Sequence, residues 1–185
     1  MSTKENILDT AESLFNTNGY TAVGVDLIRD KAGISKTSMY RHFGSKNKLI
    51  LAVLDRRHLH FEDRLGDVIT SGMSTEEKLD ALVDWHFKWF GAEDFHGCMF
   101  MHAMSEFKES DSVIADSASM HKQWLKALIK DIISNVPDFD EKQVEAKSEA
   151  IMAFIEGMIV RAEFDDITLY RPIYRLVIQT LGKKF

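Results

Sequence analysis

The side chains best suited to chemistry in this chain lie within residues 35–46, SKTSMYRHFGSK. Cationic groups occur there beside hydroxyl and imidazole groups that can hydrogen-bond. Lysine and arginine bind phosphate, and arginine can also bond the edge of guanine through two hydrogen bonds. This combination predicts a contact with double-stranded DNA, made by Ser35, Lys36, Thr37, Ser38, Tyr40, Arg41, His42 and Lys46.

Two short helices joined by a turn would position these groups. Ser35 is a suitable N-cap for the second helix. The first helix is predicted over Val25 to Ala32, and Gly33 can adopt the positive φ of the turn. The apolar side chains of the second helix would share one side: Ile34, Met39 and Phe43. This spacing is typical of a helix-turn-helix, in which the second helix enters the major groove.

The exposed groups would divide between reading bases and holding the DNA backbone. Arg41, with Lys36, supplies cations, and Thr37 and Ser38 can bond bases or phosphate. Three others are placed to hold the backbone: Tyr40, His42 and Lys46. The alternative is an ordinary amphipathic surface helix, because many helical proteins contain two short helices joined through a glycine.

Residues 7–49 as a whole resemble the N-terminal domain of the tetracycline-repressor (TetR) family. The resemblance lies in Leu14-Phe15, Gly19-Tyr20, Ala32-Gly33-Ile34-Ser35, Met39-Tyr40-Arg41-His42-Phe43, Lys46 and Leu49. It implies an N-terminal three-helix helix-turn-helix domain, residues 1–47, followed by a helical ligand-binding and dimerisation domain, residues 48–185. The chain departs from the family at Val23 and Gly24, where a hydroxyl residue usually precedes the first motif helix. That departure predicts the loss of an N-cap hydroxyl and of a phosphate contact.

Composition indicates an all-α protein. The chain has 185 residues, 45% of them hydrophobic, with only two prolines, and the strict alternation typical of strands is absent. The most apolar stretch, 150–160, is interrupted by Glu156 and is too short to span a bilayer. With no signal-peptide pattern and a single cysteine, we expect a cytoplasmic location and no membrane partner.

Charge is distributed unevenly along the chain. The net charge is −6, yet residues 1–60 hold 9 Lys/Arg against 6 Asp/Glu, while the remainder hold 14 against 23. The positive charge therefore coincides with the predicted DNA contact. An acidic remainder would repel phosphates from the wrong face.

Capping and turn residues predict the remaining helices. Ser2 with Glu5 begins the first helix, which Gly19 ends, and Ser74 with Glu77 begins another that ends near Phe90. A long helix from Ser45 toward Ile69 would link the two domains. Further helices are predicted at about 97–109, 112–135, 140–164 and 169–182.

The last two helices are predicted to form a homodimer interface. Apolar residues recur at helical spacing in both, and between 150 and 160 nearly every side of the helix is apolar. The alternative is that this helix is central in a monomer core. The resemblance implies a four-helix interface, which we assign to Ile151, Ile155, Met158, Ile159, Ile173, Leu176, Val177 and Leu181.

Aromatic residues and methionines are concentrated in the middle of the chain, where the resemblance implies an effector site. Large rings and flexible thioethers can line a pocket for an apolar or aromatic small molecule, with a histidine orienting it. Such residues at helical spacing can equally be plain core. The predicted ligand-binding residues are Trp85, His86, Trp89, Cys98, Met101, His102, Met120, Trp124 and Phe154.

Cys98 has three further interpretations. With His96 and His102 it could ligate a metal, although a fourth ligand at a recognisable spacing is missing, and we predict no metal and no cofactor. It could also sense oxidants or electrophiles, or be a buried unreactive thiol.

Glu106 and Glu109 are interpreted as solvated charges. Without a catalytic motif the chain is not expected to be an enzyme.

These observations predict a dimeric, ligand-responsive transcriptional regulator that acts as a repressor, binds a palindromic operator and is released by its effector. A DNA-binding regulator without an effector and a helical enzyme or scavenger are the alternatives.

Overall fold

The computed structural model describes residues 2–137 and 139–183, and every described regular element is helical. The helices are α1 Thr3–Asn18, α2 Val25–Ala32, α3 Lys36–Phe43, α4 Lys46–Val68, α5 Thr75–Phe90, α6 Met99–Phe107, α7 Ser112–Ser134, α8 Glu141–Phe164 and α9 Arg171–Leu181, with a 3-10 turn at Thr168–Tyr170 before the last. The predicted all-α class and the predicted helices are confirmed. Their ends differ from the prediction by only a few residues.

Side-chain caps explain where several helices begin. The Ser2 hydroxyl accepts the Glu5 amide at 3.2 Å, and Ser74 and Glu77 form a complete capping box. At the start of α8, Asp140 and Gln143 form a second capping box, which compensates two of the amides that a helix N-terminus leaves unpaired.

The described residues form two compact units. The first comprises those within Met1–His60 and Cys98–His121, and the second comprises those within Phe61–Gly97 and Lys122–Phe185. Helices α4 and α7 each contribute residues to both units. This spatial division differs from the functional division at residue 47, which stays a prediction.

The core of the first unit is built around Tyr20 and Phe15. Their rings are in contact, with centroids 5.2 Å apart, and the Tyr20 ring also meets Phe107 edge-on at 5.8 Å. Other fully buried side chains come from each of the first four helices: Ile7, Ile28, Met39, Leu49 and Ile50. Burying this apolar surface fixes the three N-terminal helices as one body.

The core of the second unit is formed by α5, α8 and α9 with parts of α4 and α7. Leu79, Leu82 and Val83 of α5 are buried, as are Ile129 and Ile132 of α7. From α8, the buried side chains include Ile151, Ile155, Met158 and Ile159. Among the described residues, no helix is both long and apolar enough to cross a membrane.

Candidate functional sites

Local signals in the sequence build the turn between α2 and α3. Gly33 lies in the left-handed region at φ 65°, ψ 36°, and its amide donates to the Arg29 carbonyl. Ser35 is extended and its hydroxyl accepts the Ser38 amide at 3.0 Å, which caps α3. The predicted cap and turn glycine are therefore confirmed. Since Met39 and Phe43 are buried, the opposite side of α3 must face outward.

The outward side of α3 carries the predicted DNA-binding groups. Ser35 and five members of the helix are exposed: Lys36, Thr37, Tyr40, Arg41 and His42. Ser38 is half-buried, and its backbone amide donates to the hydroxyl of the Ser35 cap. The structure thus brings seven of the eight predicted residues together on one short segment, and the eighth, Lys46, begins the next helix.

Ion pairing separates the cations of this region into two kinds. Arg29 is bonded to Asp26 and Asp30, and Lys36 lies 3.3 Å from Asp26. Arg41 is exposed and forms no ion pair with any residue in the described part of the chain. Its guanidinium therefore has its full set of donors available for an external partner.

Lys46 is placed differently from the other predicted DNA contacts. It is half-buried, and its Nζ donates to the Thr21 carbonyl at 3.4 Å. Partial burial lowers the pKa of this ammonium, while the nearby Glu106 carboxylate opposes that effect. The cation is thus tied to the loop before α2.

The loop before α2 lacks a side-chain N-cap, as the sequence predicts. Gly24 is the N-cap of α2 and provides no side-chain hydrogen bond, and Val23 is fully buried. The missing N-cap hydroxyl is therefore confirmed. A glycine cap costs only a few tenths of a kcal/mol relative to a hydroxyl cap, so roughly that much is lost here.

The structure corrects the interpretation of Glu106 as a solvated charge. Its carboxylate accepts the backbone amides of Tyr20 at 3.0 Å and Thr21 at 2.6 Å. Although partial burial opposes the effect, these bonds lower the pKa of Glu106. The partners lie 86 and 85 positions away in the sequence, so no local pattern could reveal the contact.

The predicted ligand-binding residues divide between the two units. Trp85, His86, Trp89, Trp124 and Phe154 belong to the second unit, whereas the first contains Cys98, Met101, His102 and Met120. In the first unit, Met120 is 66% exposed and Cys98 is 2% exposed. A thiol so deeply buried is not accessible to oxidants in this conformation, which favours the unreactive interpretation of Cys98.

In the second unit, three of the predicted residues form one aromatic cluster. The rings of Trp85 and Trp89 lie 5.0 Å and 6.2 Å from His86. Phe154 instead contacts Tyr174 of α9, at 5.4 Å. Phe90 also belongs to the cluster, with its ring 6.1 Å from His86. Sequence reasoning missed Phe61 and Phe95, which extend the cluster through contacts of 4.9 Å to Trp85 and 5.0 Å to Trp89, respectively.

Burial within the single chain revises part of the predicted dimer interface. The four assigned α8 residues are buried in the core of the single chain: Ile151, Ile155, Met158 and Ile159. The apolar pattern of α8 is continuous around the helix, so its period could not show which side faces the core. The α9 residues fit better, since Ile173 is 59% exposed and Leu176 is 63% exposed, with Val177 and Leu181 half-buried.

No metal site is formed in the part of the chain that the structure describes. There, no three His, Cys, Asp or Glu side chains come together in a way that could hold an ion. His96 is exposed, and Cys98 is buried.

Comparison with known proteins begins with the N-terminal segment. Residues 7–53 match the family model described as bacterial regulatory proteins, tetR family. The transcriptional activator FasR of Mycolicibacterium smegmatis is 36% identical over 81 residues, which are 44% of this chain and 37% of FasR. The aligned segment thus spans little more than a third of that relative.

Two further matches extend over nearly the whole chain. The transcriptional repressor KstR2 of Rhodococcus jostii is 22% identical over 97% of this chain and 85% of its own length. A TetR-family transcriptional regulator from Streptomyces coelicolor has a similar crystal structure, with a TM-score of 0.90 and 22% identity over 97% of this chain and 94% of that one. At this identity, the structural match establishes the fold.

Proposed function

The chain belongs to the tetR family of bacterial regulatory proteins through residues 7–53, and we propose that it is a transcriptional repressor that binds a palindromic operator as a homodimer. The family and the relatives are transcriptional regulators, not enzymes. The observation that carries the proposal is the exposed side of α3, where Arg41 is unpaired among the described residues. As a regulator of bacterial genes, it would act in the cytoplasm.

The outward side of α3 would read bases in the major groove. Arg41 can make two hydrogen bonds to guanine, and Thr37 can hydrogen-bond a base edge or make an apolar contact with a thymine methyl group. Tyr40, His42 and Lys46 would hold the phosphates on either side. Because Lys36 already lies 3.3 Å from Asp26, a contact of Lys36 with DNA would require that exposed ion pair to open, which costs little in water.

Dimerisation would use the surfaces of α8 and α9 that the single chain leaves open. Small residues follow the exposed side of α8, at Ala146, Ala150, Ala153 and Gly157, and would let a partner helix approach closely. On α9 the exposed apolar side chains are Ile173 and Leu176. A Cβ placed at Gly157 would meet no described atom within 4 Å, so the space beside it is open to a partner.

Twofold pairing would give the protein its operator symmetry. A single α3 can contact only a few base pairs, and a second copy doubles the contacts. The two α3 helices would then lie about 34–36 Å apart, or a multiple of that distance, to enter successive major grooves.

A small apolar or aromatic molecule would act as effector. It would bind the dimer state in which α4 has shifted, and so favour a separation of the two α3 helices that does not fit the operator. A coupling free energy of about 3 kcal/mol weakens operator binding roughly a hundredfold. The functional domains would be residues 1–47 for DNA and 48–185 for effector and dimer.

Selection of bound sequences from a random pool of DNA duplexes tests this proposal. The expected product is a palindrome whose half-sites lie about 10–10.5 base pairs apart, or a multiple of that spacing, bound by two chains. A selected site without twofold symmetry would contradict the dimer. If no small molecule in a broad thermal-shift screen stabilises the protein, the regulator acts without an effector.

A further inference from the structure

His86 of α5 is a fully buried ionisable group within the aromatic cluster of the second unit. Its side chain has 0% exposure. The Nδ1 atom lies 2.7 Å from the carbonyl oxygen of Leu82. A carbonyl oxygen can only accept a hydrogen bond, so Nδ1 must carry the proton. In the neutral ring, Nε2 is then an acceptor with a free lone pair.

Nothing in the described part of the chain uses this lone pair. Nε2 is buried and has no hydrogen-bond partner there. Burial lowers the pKa of His86 to about 4, with Lys122 adding to the effect and the bond to Leu82 opposing it. The ring is therefore neutral near pH 7. Leaving a buried acceptor without a hydrogen bond is unfavourable, which makes Nε2 a site that a donor would stabilise.

Flat apolar groups pack against the ring that carries this acceptor. The rings of Trp85, Trp89 and Phe90 lie within 6.2 Å of His86 between centroids. Phe61 packs edge-on against both tryptophans, and Phe95 packs against Trp89 and Phe90. Trp85, Trp89 and Phe90 are only half-buried, so the cluster extends from the surface to the buried imidazole. A molecule that displaces one of these rings would meet aromatic faces and one acceptor.

Charged groups from the neighbouring helices are already engaged. Lys122 of α7 lies 3.3 Å from Glu156 of α8. On α5 itself, Asp84 is bonded to Arg171 and Arg175 of α9. These pairs leave the neutral imidazole as the polar group best placed to orient a bound molecule.

We propose that His86 Nε2 is the polar recognition point of the effector site and that the effector is an uncharged aromatic molecule donating one hydrogen bond, as a phenol does. The inference rests on the proposed function, because it names the chemical class of the effector of that regulator. A carboxylate is disfavoured because its oxygens can only accept hydrogen bonds, as Nε2 does. Its negative charge would also be buried without a partner. An aromatic ring fits because it can pack edge-on or offset against the surrounding rings.

Calorimetric titration of the full chain with three matched probes tests the inference. The probes are 4-propylphenol, 4-propylanisole, which retains the oxygen but lacks the donor, and 4-propylbenzoate, which is anionic at pH 7. We expect the phenol to bind at least about tenfold more tightly than the anisole, as one good hydrogen bond supplies about 1.4 kcal/mol. The benzoate should not bind measurably.

Variants assign the preference to the proposed atom. His86→Phe removes the acceptor, so the phenol and the anisole should bind with similar affinity. His96→Phe makes the same change at an exposed histidine of the same unit and should retain the preference. His86→Gln, which restores an acceptor oxygen, should recover part of the preference and covers the case in which His86→Phe does not fold.

The contrary results are distinct from a failure of the proposed function. Three results would overturn the inference. They are equal affinities of phenol and anisole for the wild-type protein, a preference that survives His86→Phe, and no binding of any probe up to its solubility limit. Nε2 would then hold only water. Because the titration contains no DNA, its outcome does not depend on operator binding. A phenol that binds through His86 without weakening operator binding would support the site but overturn its role as an effector site.

Discussion

The hydroxyl of Tyr20 donates to the backbone carbonyl of Met99 at 2.9 Å. Tyr20 follows α1 and Met99 begins α6, so this bond joins the N-terminal helices to a segment 79 positions later. Burial, the main cause, raises the pKa of this phenol above its ordinary value. The hydroxyl therefore remains a proton donor to the carbonyl at neutral pH.

Tyr20→Phe should destabilise the protein by about 1–2 kcal/mol, because the carbonyl of Met99 loses a buried donor. Chemical denaturation at pH 7 measures the change. Tyr40→Phe, which removes the same hydroxyl from an exposed tyrosine of α3, should change stability by less than about 0.5 kcal/mol. Equal effects of the two substitutions would show that the bond contributes nothing.

Glu106→Gln should lower stability at pH 7 by about 1.5–3 kcal/mol, because a charged acceptor of two backbone amides becomes a neutral amide. The folded-state pKa of Glu106 is lowered, so its contribution is complete above the unfolded-state pKa of about 4.3 and is lost as the pH falls further. The difference from wild type should therefore shrink below that pH. Glu109→Gln, at an exposed position nearby, is the control. A difference that is constant with pH would contradict this account.

The sequence predicts α3 well because its signals are local. Ser35, Gly33 and the apolar side chains at 39 and 43 lie within eleven positions, and each specifies the turn or the buried side directly. Glu106 escapes such reasoning because its partners are brought to it only by tertiary packing. The same limit applies to α8, because apolar residues on all sides of this helix do not reveal which of them face the core of the chain.

His86→Phe should make the stability of the protein less sensitive to acid. In the folded chain His86 stays neutral down to about pH 4, whereas the unfolded chain takes up the proton near pH 6.5. Wild-type stability therefore falls as the pH decreases between these values, by about 3 kcal/mol in total at 1.36 kcal/mol per unit. Unfolding free energies at pH 7.5 and pH 5 should differ less for the variant. A wild-type difference retained in full by His86→Phe would show that other groups cause the acid sensitivity.

Gly157→Arg should convert the proposed dimer into a monomer of 21.2 kDa without unfolding the chain. A side chain at this position meets open space in the single subunit but would collide with a close partner helix. Gly66→Arg is a matched control, because Gly66 also lies within a helix and faces open space. Light scattering after size-exclusion chromatography gives the mass. If the Gly157 variant keeps twice the chain mass, α8 does not form the interface.

The most direct test of DNA reading by α3 compares Arg41→Ala with Lys46→Ala on the selected operator and on each of its single-base variants. Arg41→Ala should cost about 1–3 kcal/mol on the preferred site and relax discrimination at one position of each half-site. Lys46→Ala should weaken binding to all sequences alike and reduce the slope of affinity against salt by about one unit. Uniform loss across sequences for both variants, or no binding of the wild-type protein to any duplex at low salt, would contradict the assignment of α3 as the reading helix.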